Sequence, residues 1–205
     1  MKTAVVCGAG GFIGGHLVSR LKQDGYWVRA IDRKQHEFKT VDADEFILCD
    51  LRDASFCSGA IDIAFDEVYQ LAAEMGGAEF VYDGRHDATI LRDSTIIDLH
   101  VLSNCLKHRT QRIFFASSAC VYPRRNQLDP NNPIYGEDSV YPADPDSEYG
   151  WTKLFGERLY LAHERAGVLQ PRIARCHNVF GPQGAWRGGR EGPRGAVPQS
   201  CRSAR

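Results

Sequence analysis

The sequence predicts an α/β protein built on a doubly wound parallel sheet. Short apolar runs alternate with longer segments of helical period along the first 180 residues. A glycine-rich turn joins the first apolar run to the first helical segment. Because parallel strands need crossover connections, which are usually helices, this alternation favours a parallel sheet with helices on both faces.

The apolar runs predict six buried strands, at residues 3–7, 26–31, 46–48, 67–71, 112–116 and 172–176. Three helical patterns lie between them: one after the glycine turn, one from about 86 to 107 and one from about 149 to 166. The side chains expected to face the core share a helical spacing. They are Ile13, Leu17, Val18 and Leu21, then Ile90, Ile97, Val101 and Leu102, then Leu154, Phe155, Leu159 and Ala162.

Composition and charge exclude several classes of protein. With 25 basic and 26 acidic residues, no net charge draws the chain to nucleic acid or an anionic membrane. No apolar run approaches the roughly 20 residues that span a bilayer. The seven cysteines are scattered without a Cys-x-x-Cys pair, and the N-terminal segment reaches glycine too early for a signal peptide. We therefore expect a cytoplasmic protein without a structural metal.

The glycine turn predicts a dinucleotide site of Rossmann type. Gly8, Gly11 and Gly14 follow the first strand and open the first helix, whose N-terminus offers free N–H groups to phosphates. Asp32 closes the second strand 18 residues after Gly14 and is placed to bind the adenosine ribose. Its charge favours NAD over NADP, a preference that Arg33 and Lys34 weaken.

A second pattern predicts catalytic groups. Tyr149 and Lys153 lie four residues apart on one helical face, where the lysine charge lowers the pKa of a neighbouring phenol. Ser118 ends the fifth strand, at the sheet edge where doubly wound folds bind ligands. Its hydroxyl can bind the substrate oxygen that is oxidised.

These motifs resemble the extended short-chain dehydrogenase/reductases, in the NAD-dependent epimerase/dehydratase group. Four segments, taken in order, are more narrowly similar to the GDP-mannose 3,5-epimerases of that group. They are Ala72-Ala73-Glu74-Met75-Gly76-Gly77, Ala116-Ser117-Ser118-Ala119-Cys120-Val121-Tyr122-Pro123, His177-Asn178-Val179-Phe180-Gly181-Pro182 and Trp186-Arg187-Gly188-Gly189-Arg190-Glu191.

The resemblance implies a reaction with bound NAD. Tyr149 takes the proton from the C4 hydroxyl of a nucleotide sugar, and the transient 4-ketone acidifies the hydrogens at C3 and C5. Cys120 exchanges protons at those carbons, so that GDP-mannose becomes GDP-L-galactose or GDP-L-gulose. For Cys120, the alternative is a buried structural thiol.

The resemblance also assigns binding residues. Phe12, Ile13, Leu71, Ala72 and Ala73 join the glycine turn, Asp32, Tyr149 and Lys153 at the cofactor. Asp50 and Leu51 follow the third strand near the adenine, although Asp50 can equally be a helix cap. The expected substrate-binding residues are Met75, Gly76, Ser117, Ser118, Asn178, Arg187 and Arg190. The two arginines suit a diphosphate.

The chain also departs from the family pattern. Asp93 or Ser94 stands where the family carries an asparagine, and Gln183 where an aromatic is usual. After Glu191 the family continues into a second acid/base lysine, whereas Gly192 begins a tail without helical or strand period, which is expected to be disordered. A shifted reading frame would explain this tail. We therefore divide the chain into an NAD-binding domain at 1–184 and a remnant of the substrate-domain entry at 185–205. We expect the missing part of the substrate domain to impair turnover.

Two alternative functions stay open. The first is another NAD-dependent sugar-nucleotide 4-epimerase or a 4,6-dehydratase. The second is a non-catalytic remnant that binds NAD without turnover, because the family's second acid/base lysine has no counterpart after Glu191. The family further implies a possible homodimer formed through the two long helices.

Overall fold

A six-stranded parallel sheet forms the centre of the protein. The computed structural model describes residues 1–129, 131 and 134–184. The strands are β1 (Thr3–Cys7), β2 (Trp27–Asp32), β3 (Glu45–Leu48), β4 (Glu67–Gln70), β5 (Arg112–Ser118) and β6 (Gln170–Cys176). They are ordered β3-β2-β1-β4-β5-β6, and every neighbouring pair is parallel. The predicted fold class is therefore confirmed.

Five α-helices connect the strands in the described residues. They are α1 (Phe12–Gln23), α2 (Ala54–Ala60), α3 (Ala78–Tyr82), α4 (Asp87–Lys107) and α5 (Glu148–Arg165). The sequence predicted the three long helices to within a few residues. It did not predict α2 and α3, because five to seven residues are too few to show a helical period.

Helices pack on both faces of the sheet. On one face, Val18 and Leu21 of α1 bury against β1 and β2. On the other, α2, α4 and α5 cover a larger cluster that includes Val101, Phe115 and Tyr160. The inward positions predicted for α4 are all buried. No helix in the described ranges is both long enough and apolar enough to cross a membrane.

Three predicted core positions are wrong. Ile13 is 40% exposed, because α1 begins at the open edge of the sheet rather than beneath it. Phe155 is 41% exposed, and Ala162 is exposed as well. The buried stripe of α5 instead carries Lys153 and Glu157, so its polar inward side chains misled a prediction based on apolar spacing.

The strand order places a crevice at the carboxyl edge of the sheet. The chain leaves β1 toward β2 on one side and later returns to β4 on the other. Such a switch point separates the loops that follow the two strands, and doubly wound folds bind ligands there. The loops after β1, β4 and β5 therefore surround one space.

Candidate active site

One open cavity of about 820 Å³ lies at this carboxyl edge. It brings together every predicted site residue that the structure describes. These residues are Gly8, Gly11, Phe12, Ile13, Gly14, Asp32, Asp50, Leu51, Leu71, Ala72, Ala73, Met75, Gly76, Ser117, Ser118, Cys120, Tyr149, Lys153 and Asn178. Arg187 and Arg190, with the predicted unit at 185–205, lie outside the described residues.

The glycine turn leaves no room for a side chain at two of its positions, because neighbouring backbone atoms lie too close. Gly8 has φ +85°, a left-handed conformation, and a Cβ atom there would lie 2.9 Å from the backbone nitrogen of Ala72. A Cβ atom on Gly14 would lie 2.1 Å from the Gly8 carbonyl oxygen. Glycine therefore lets the turn pack tightly against the backbone after β4, while the N-terminus of α1 lines the cavity, an arrangement that fits a pyrophosphate.

Asp32 is held in place at the end of β2. Its carboxylate accepts backbone N–H bonds from Gly10 at 2.9 Å and Lys34 at 3.1 Å. Burial raises the pKa of Asp32, and these N–H donors oppose that effect. Arg33 donates to the buried Glu74 at 2.9 Å, so its charge already has a partner. These contacts fit a ribose diol at Asp32 better than a 2′-phosphate.

Asp50 is not the helix cap that the sequence allowed. The cap of α2 is Asp53, which accepts from the backbone nitrogens of Ser55 and Phe56. The Asp50 carboxylate instead accepts from the Arg52 guanidinium at 2.5 Å, and Arg52 also donates to the buried Asp93 at 2.6 Å. Asp93, which with Ser94 is a candidate for the departure from the family's asparagine, thus fixes the arginine beside the cofactor half of the cavity.

A buried polar group, here called the floor cluster, lies beneath Tyr149. It consists of Lys153, Asp98, Gln70 and Tyr160, which come from α5, α4 and β4. The Lys153 ammonium lies 5.6 Å from the Tyr149 ring centre, and Gln70 donates to Asp98 at 2.8 Å.

Lys153 and Asp98 compensate each other's burial in this cluster. Burial lowers the pKa of Lys153, while the Asp98 charge raises it. Burial likewise raises the pKa of Asp98 to about 6, against the effect of Lys153. At neutral pH the buried ammonium therefore has a largely ionised counter-charge.

A second group, here called the rim cluster, lies at the outer wall and consists of Cys120, Tyr82 and Asp146. Cys120 stands in a short 3₁₀ turn after β5, where its backbone nitrogen donates to Ser118 Oγ at 3.2 Å. Tyr82 Oη lies 3.6 Å from Cys120 Sγ and donates to Asp146 Oδ2 at 3.2 Å. Burial raises the pKa of Cys120, so this thiol is less acidic than an ordinary cysteine.

The two serines of β5 have different partners. Ser117 donates its hydroxyl proton to the buried Glu157 at 2.5 Å, and Arg175 holds the same carboxylate at 2.9 and 2.8 Å. Ser118 accepts the Cys120 amide, and its hydroxyl proton can turn to the Cys120 sulfur or to a ligand in the cavity. Ser118 is therefore the better placed of the two to donate to a substrate oxygen.

Sequence reasoning missed Asp98, Tyr82 and Asp146. Asp98 had a signal, because position 98 falls on the buried stripe of α4 with Ile90, Ile97 and Val101, where an acid is uncommon. Tyr82 and Asp146 had none, since Tyr82 ends a five-residue helix and Asp146 stands in a connecting segment, and their meeting depends on the tertiary structure.

The profile of a known family matches residues 4–205, described as the NAD dependent epimerase/dehydratase family. The chain belongs to that family. The matched range runs past Glu191, where the sequence analysis ended the resemblance. NAD, predicted from the glycine turn and Asp32, is confirmed as the cofactor at the level of the family.

The chain is similar to GDP-mannose 3,5-epimerase of Arabidopsis thaliana, at 39% identity over 91% of this chain and 49% of that protein. It thus spans about half the length of the curated relatives it matches. A UDP-glucose 4-epimerase structure from Thermotoga maritima shares the fold, with TM-score 0.79 and 24% identity over 93% of this chain and 60% of the other. A Brucella ovis UDP-glucose 4-epimerase in complex with NAD is 26% identical, with TM-score 0.72, over 87% and 52%.

Proposed function

We propose that this chain is the NAD-binding part of a nucleotide-sugar epimerase that changes configuration at carbons next to a transient ketone. The observation that carries the proposal is the meeting of Tyr149, Ser118 and Cys120 in the cavity that the glycine turn opens. Tyr149, which can accept a hydroxyl proton, and Cys120, which can exchange protons at carbon, then face the same substrate.

The residues have separate tasks in this chemistry. Tyr149 removes the proton of the C4 hydroxyl, Lys153 supplies positive charge beneath it, and Ser118 donates to the same substrate oxygen. NAD, held by the glycine turn and Asp32, supplies a reversible hydride acceptor. Cys120 exchanges protons at the carbons beside C4, which a carbonyl at C4 makes acidic.

GDP-mannose is the substrate we propose, converted to GDP-L-galactose or GDP-L-gulose. The identity with the Arabidopsis protein and the placement of Cys120 support this choice. A simple UDP-sugar 4-epimerase is the second candidate, favoured by the 4-epimerases among the structural relatives. We also propose a cytoplasmic location, from the seven scattered cysteines, and a homodimer, from the family resemblance.

Incubation with GDP-mannose in deuterium oxide distinguishes the candidates. A 3,5-epimerase places deuterium at C3 and C5 of recovered sugar nucleotide, whereas a 4-epimerase places none at these carbons. We expect incorporation above background by the unmodified 205-residue chain (the parent) supplied with NAD, at the low rate expected without the family's second acid/base lysine. Cys120→Ala should lower this incorporation by roughly 100-fold or more. The matched control is Cys57→Ala, because Cys57 is a buried thiol between α2 and α4, away from the cavity.

The non-catalytic alternative predicts a different pattern. NAD then binds saturably, no deuterium enters the sugar, and Cys120→Ala changes neither result. Deuterium at C3 or C5 would exclude that alternative. Saturable NAD binding without incorporation would overturn the proposed reaction and leave the cofactor site intact.

A further inference from the structure

The rim cluster forms a continuous line of hydrogen-bonding groups away from the reacting thiol. Tyr82 is the last residue of α3, and its hydroxyl lies between Cys120 Sγ at 3.6 Å and Asp146 Oδ2 at 3.2 Å. Tyr82 and Cys120 both line the cavity, and Tyr82 is 54% exposed. Asp146 is half-buried, and its other oxygen accepts from Ser147 at 3.1 Å.

The hydrogen-bond directions are set by Asp146. An ionised carboxylate only accepts, so the Tyr82 hydroxyl donates its proton to Asp146. The lone pairs of Tyr82 Oη then point to the thiol, whose S–H can donate to them. Every group in the line from Cys120 to Asp146 therefore has a donor or acceptor of the right kind.

We propose that Tyr82 and Asp146 are positioning residues that act through Cys120. They relay the thiol proton between Cys120, which faces the substrate carbons, and Asp146 at the outer edge of the cavity. The proposal rests on the proposed function, which gives Cys120 its carbon substrate. In the relay the S–H bond breaks as a proton binds Tyr82 Oη, and the original Tyr82 proton moves to Asp146 Oδ2. No electrons are transferred, and the reverse movement restores the thiol.

The surroundings of Cys120 explain why the thiol needs such partners. Phe80 and Ile90 belong to the apolar cluster that packs around it, and burial raises its pKa. The polar and titratable groups facing the thiol are Ser118 of its own turn, Tyr82 of α3, Asp146 before α5 and Tyr149 of α5. Hydrogen bonds that Ser118 and Tyr82 can donate to the thiolate lower the pKa of Cys120, while the Asp146 charge raises it.

The test is the pH dependence of Cys120 alkylation by iodoacetamide in the full 205-residue chain, followed on the Cys120 peptide by mass spectrometry. When the thiol ionises, the Tyr82 hydroxyl can turn from Asp146 to the thiolate. Tyr82→Phe removes this donor, so the midpoint of the alkylation profile should rise by about one pH unit. Asp146→Asn removes a negative charge and frees the Tyr82 hydroxyl for the thiolate, so the midpoint should fall by about half a unit. A packing defect alone would not give shifts of opposite sign.

Two matched variants serve as controls. Tyr135→Phe deletes another phenol of the same cavity, and Asp144→Asn neutralises an exposed carboxylate two residues before Asp146. Both should leave the Cys120 midpoint within about 0.2 units of the parent, since the main groups that shift the pKa of the thiol are Ser118, Tyr82 and Asp146. The Cys49 and Cys176 peptides in the same digest report any general loosening of the cavity.

Unchanged midpoints in both variants, or shifts in the same direction, would overturn the relay. This outcome is independent of turnover, because alkylation needs no substrate. If the two variants shift the midpoint in opposite directions but the parent incorporates no deuterium at C3 or C5, the proposed reaction fails while the hydrogen-bonded line stands. If deuterium enters and the midpoints do not move, the reaction stands and the relay fails.

Discussion

The floor and rim clusters differ in how their charges are stabilised. Lys153 and Asp98 of the floor cluster are buried, and each is the main counter-charge of the other. Tyr82 and Asp146 of the rim cluster remain partly open to water. Charges in the floor therefore persist only as a pair, whereas the rim can exchange protons with solvent.

The supporting elements differ in the same way. The floor cluster stands on the middle of two long helices and the end of a central strand, α4, α5 and β4. The rim cluster stands on a 3₁₀ turn, a five-residue helix and a connecting segment. Rigid elements suit the groups that every reaction of the family shares, while short connections can change their residues without altering the fold.

The largest effect should follow loss of the phenol above the floor. Tyr149→Phe removes the group that accepts the C4 hydroxyl proton, so deuterium incorporation at C3 and C5 should fall by about 10²- to 10⁴-fold. NAD affinity should change by less than about threefold. Tyr141→Phe is the control, because this exposed tyrosine lies outside the cavity. Retained incorporation in Tyr149→Phe would show that Tyr149 is not the group that accepts the C4 hydroxyl proton.

A smaller effect should appear in the pH dependence of stability. The pKa of Asp98 is about 6 in the folded protein and about 4 in the unfolded chain, so folding takes up a proton between these values. The resulting stabilisation is fully present below about pH 4 and is lost as the pH rises through 6. Relative to Asp98→Asn, the parent should gain about 2 to 3 kcal/mol in free energy of unfolding from pH 7 to pH 4.

Urea unfolding at several pH values measures this difference. Asp42→Asn neutralises an exposed carboxylate and should follow the parent at every pH. A pH-independent difference between the parent and Asp98→Asn would mean that burial in the floor cluster does not raise the pKa of Asp98. The contrast between the two clusters would then lose its electrostatic basis.

The smallest effect concerns the connection that holds the rim. Ser147 caps α5 by accepting from the Gly150 nitrogen at 3.2 Å, and it donates to Asp146. Ser147→Ala should lower the free energy of unfolding by about 1 kcal/mol and loosen Asp146, which shifts the Cys120 midpoint toward that of Asp146→Asn. The control Ser139→Ala removes a hydroxyl of a 3₁₀ turn outside the cavity. A lower free energy of unfolding in Ser147→Ala without a shift of the Cys120 alkylation midpoint would mean that the helix cap does not affect the relay.

The sequence predicted the sheet and the cofactor half of the site because both depend on local patterns. β1, the glycine turn and α1 follow one another within about 20 residues, and Tyr149 and Lys153 share one helical face. Apolar spacing failed at Phe155 because α5 turns Lys153 and Glu157 toward the interior instead. A charged side chain is buried only where tertiary contacts supply its partner, and the apolar spacing along a helix does not predict those contacts.

The rim could be predicted only in part. Cys120 was found through its resemblance to a family segment, but its partners come from positions 38 and 26 residues away along the chain. The elevated pKa of its thiol is also absent from the sequence pattern, since burial in the Phe80 and Ile90 cluster is a property of the fold. Only the packed structure brings α3 and the segment before α5 to the same sulfur atom.

Calorimetric titration of NAD tests most directly the division of the cavity into a cofactor side, which includes Lys153, and a rim that acts on the substrate. We predict saturable binding by the parent, at least about tenfold weaker binding by Lys153→Met, and affinity within about twofold of the parent for Cys120→Ala. Absent binding in the parent, or equal weakening in both variants, would contradict this division of the cavity.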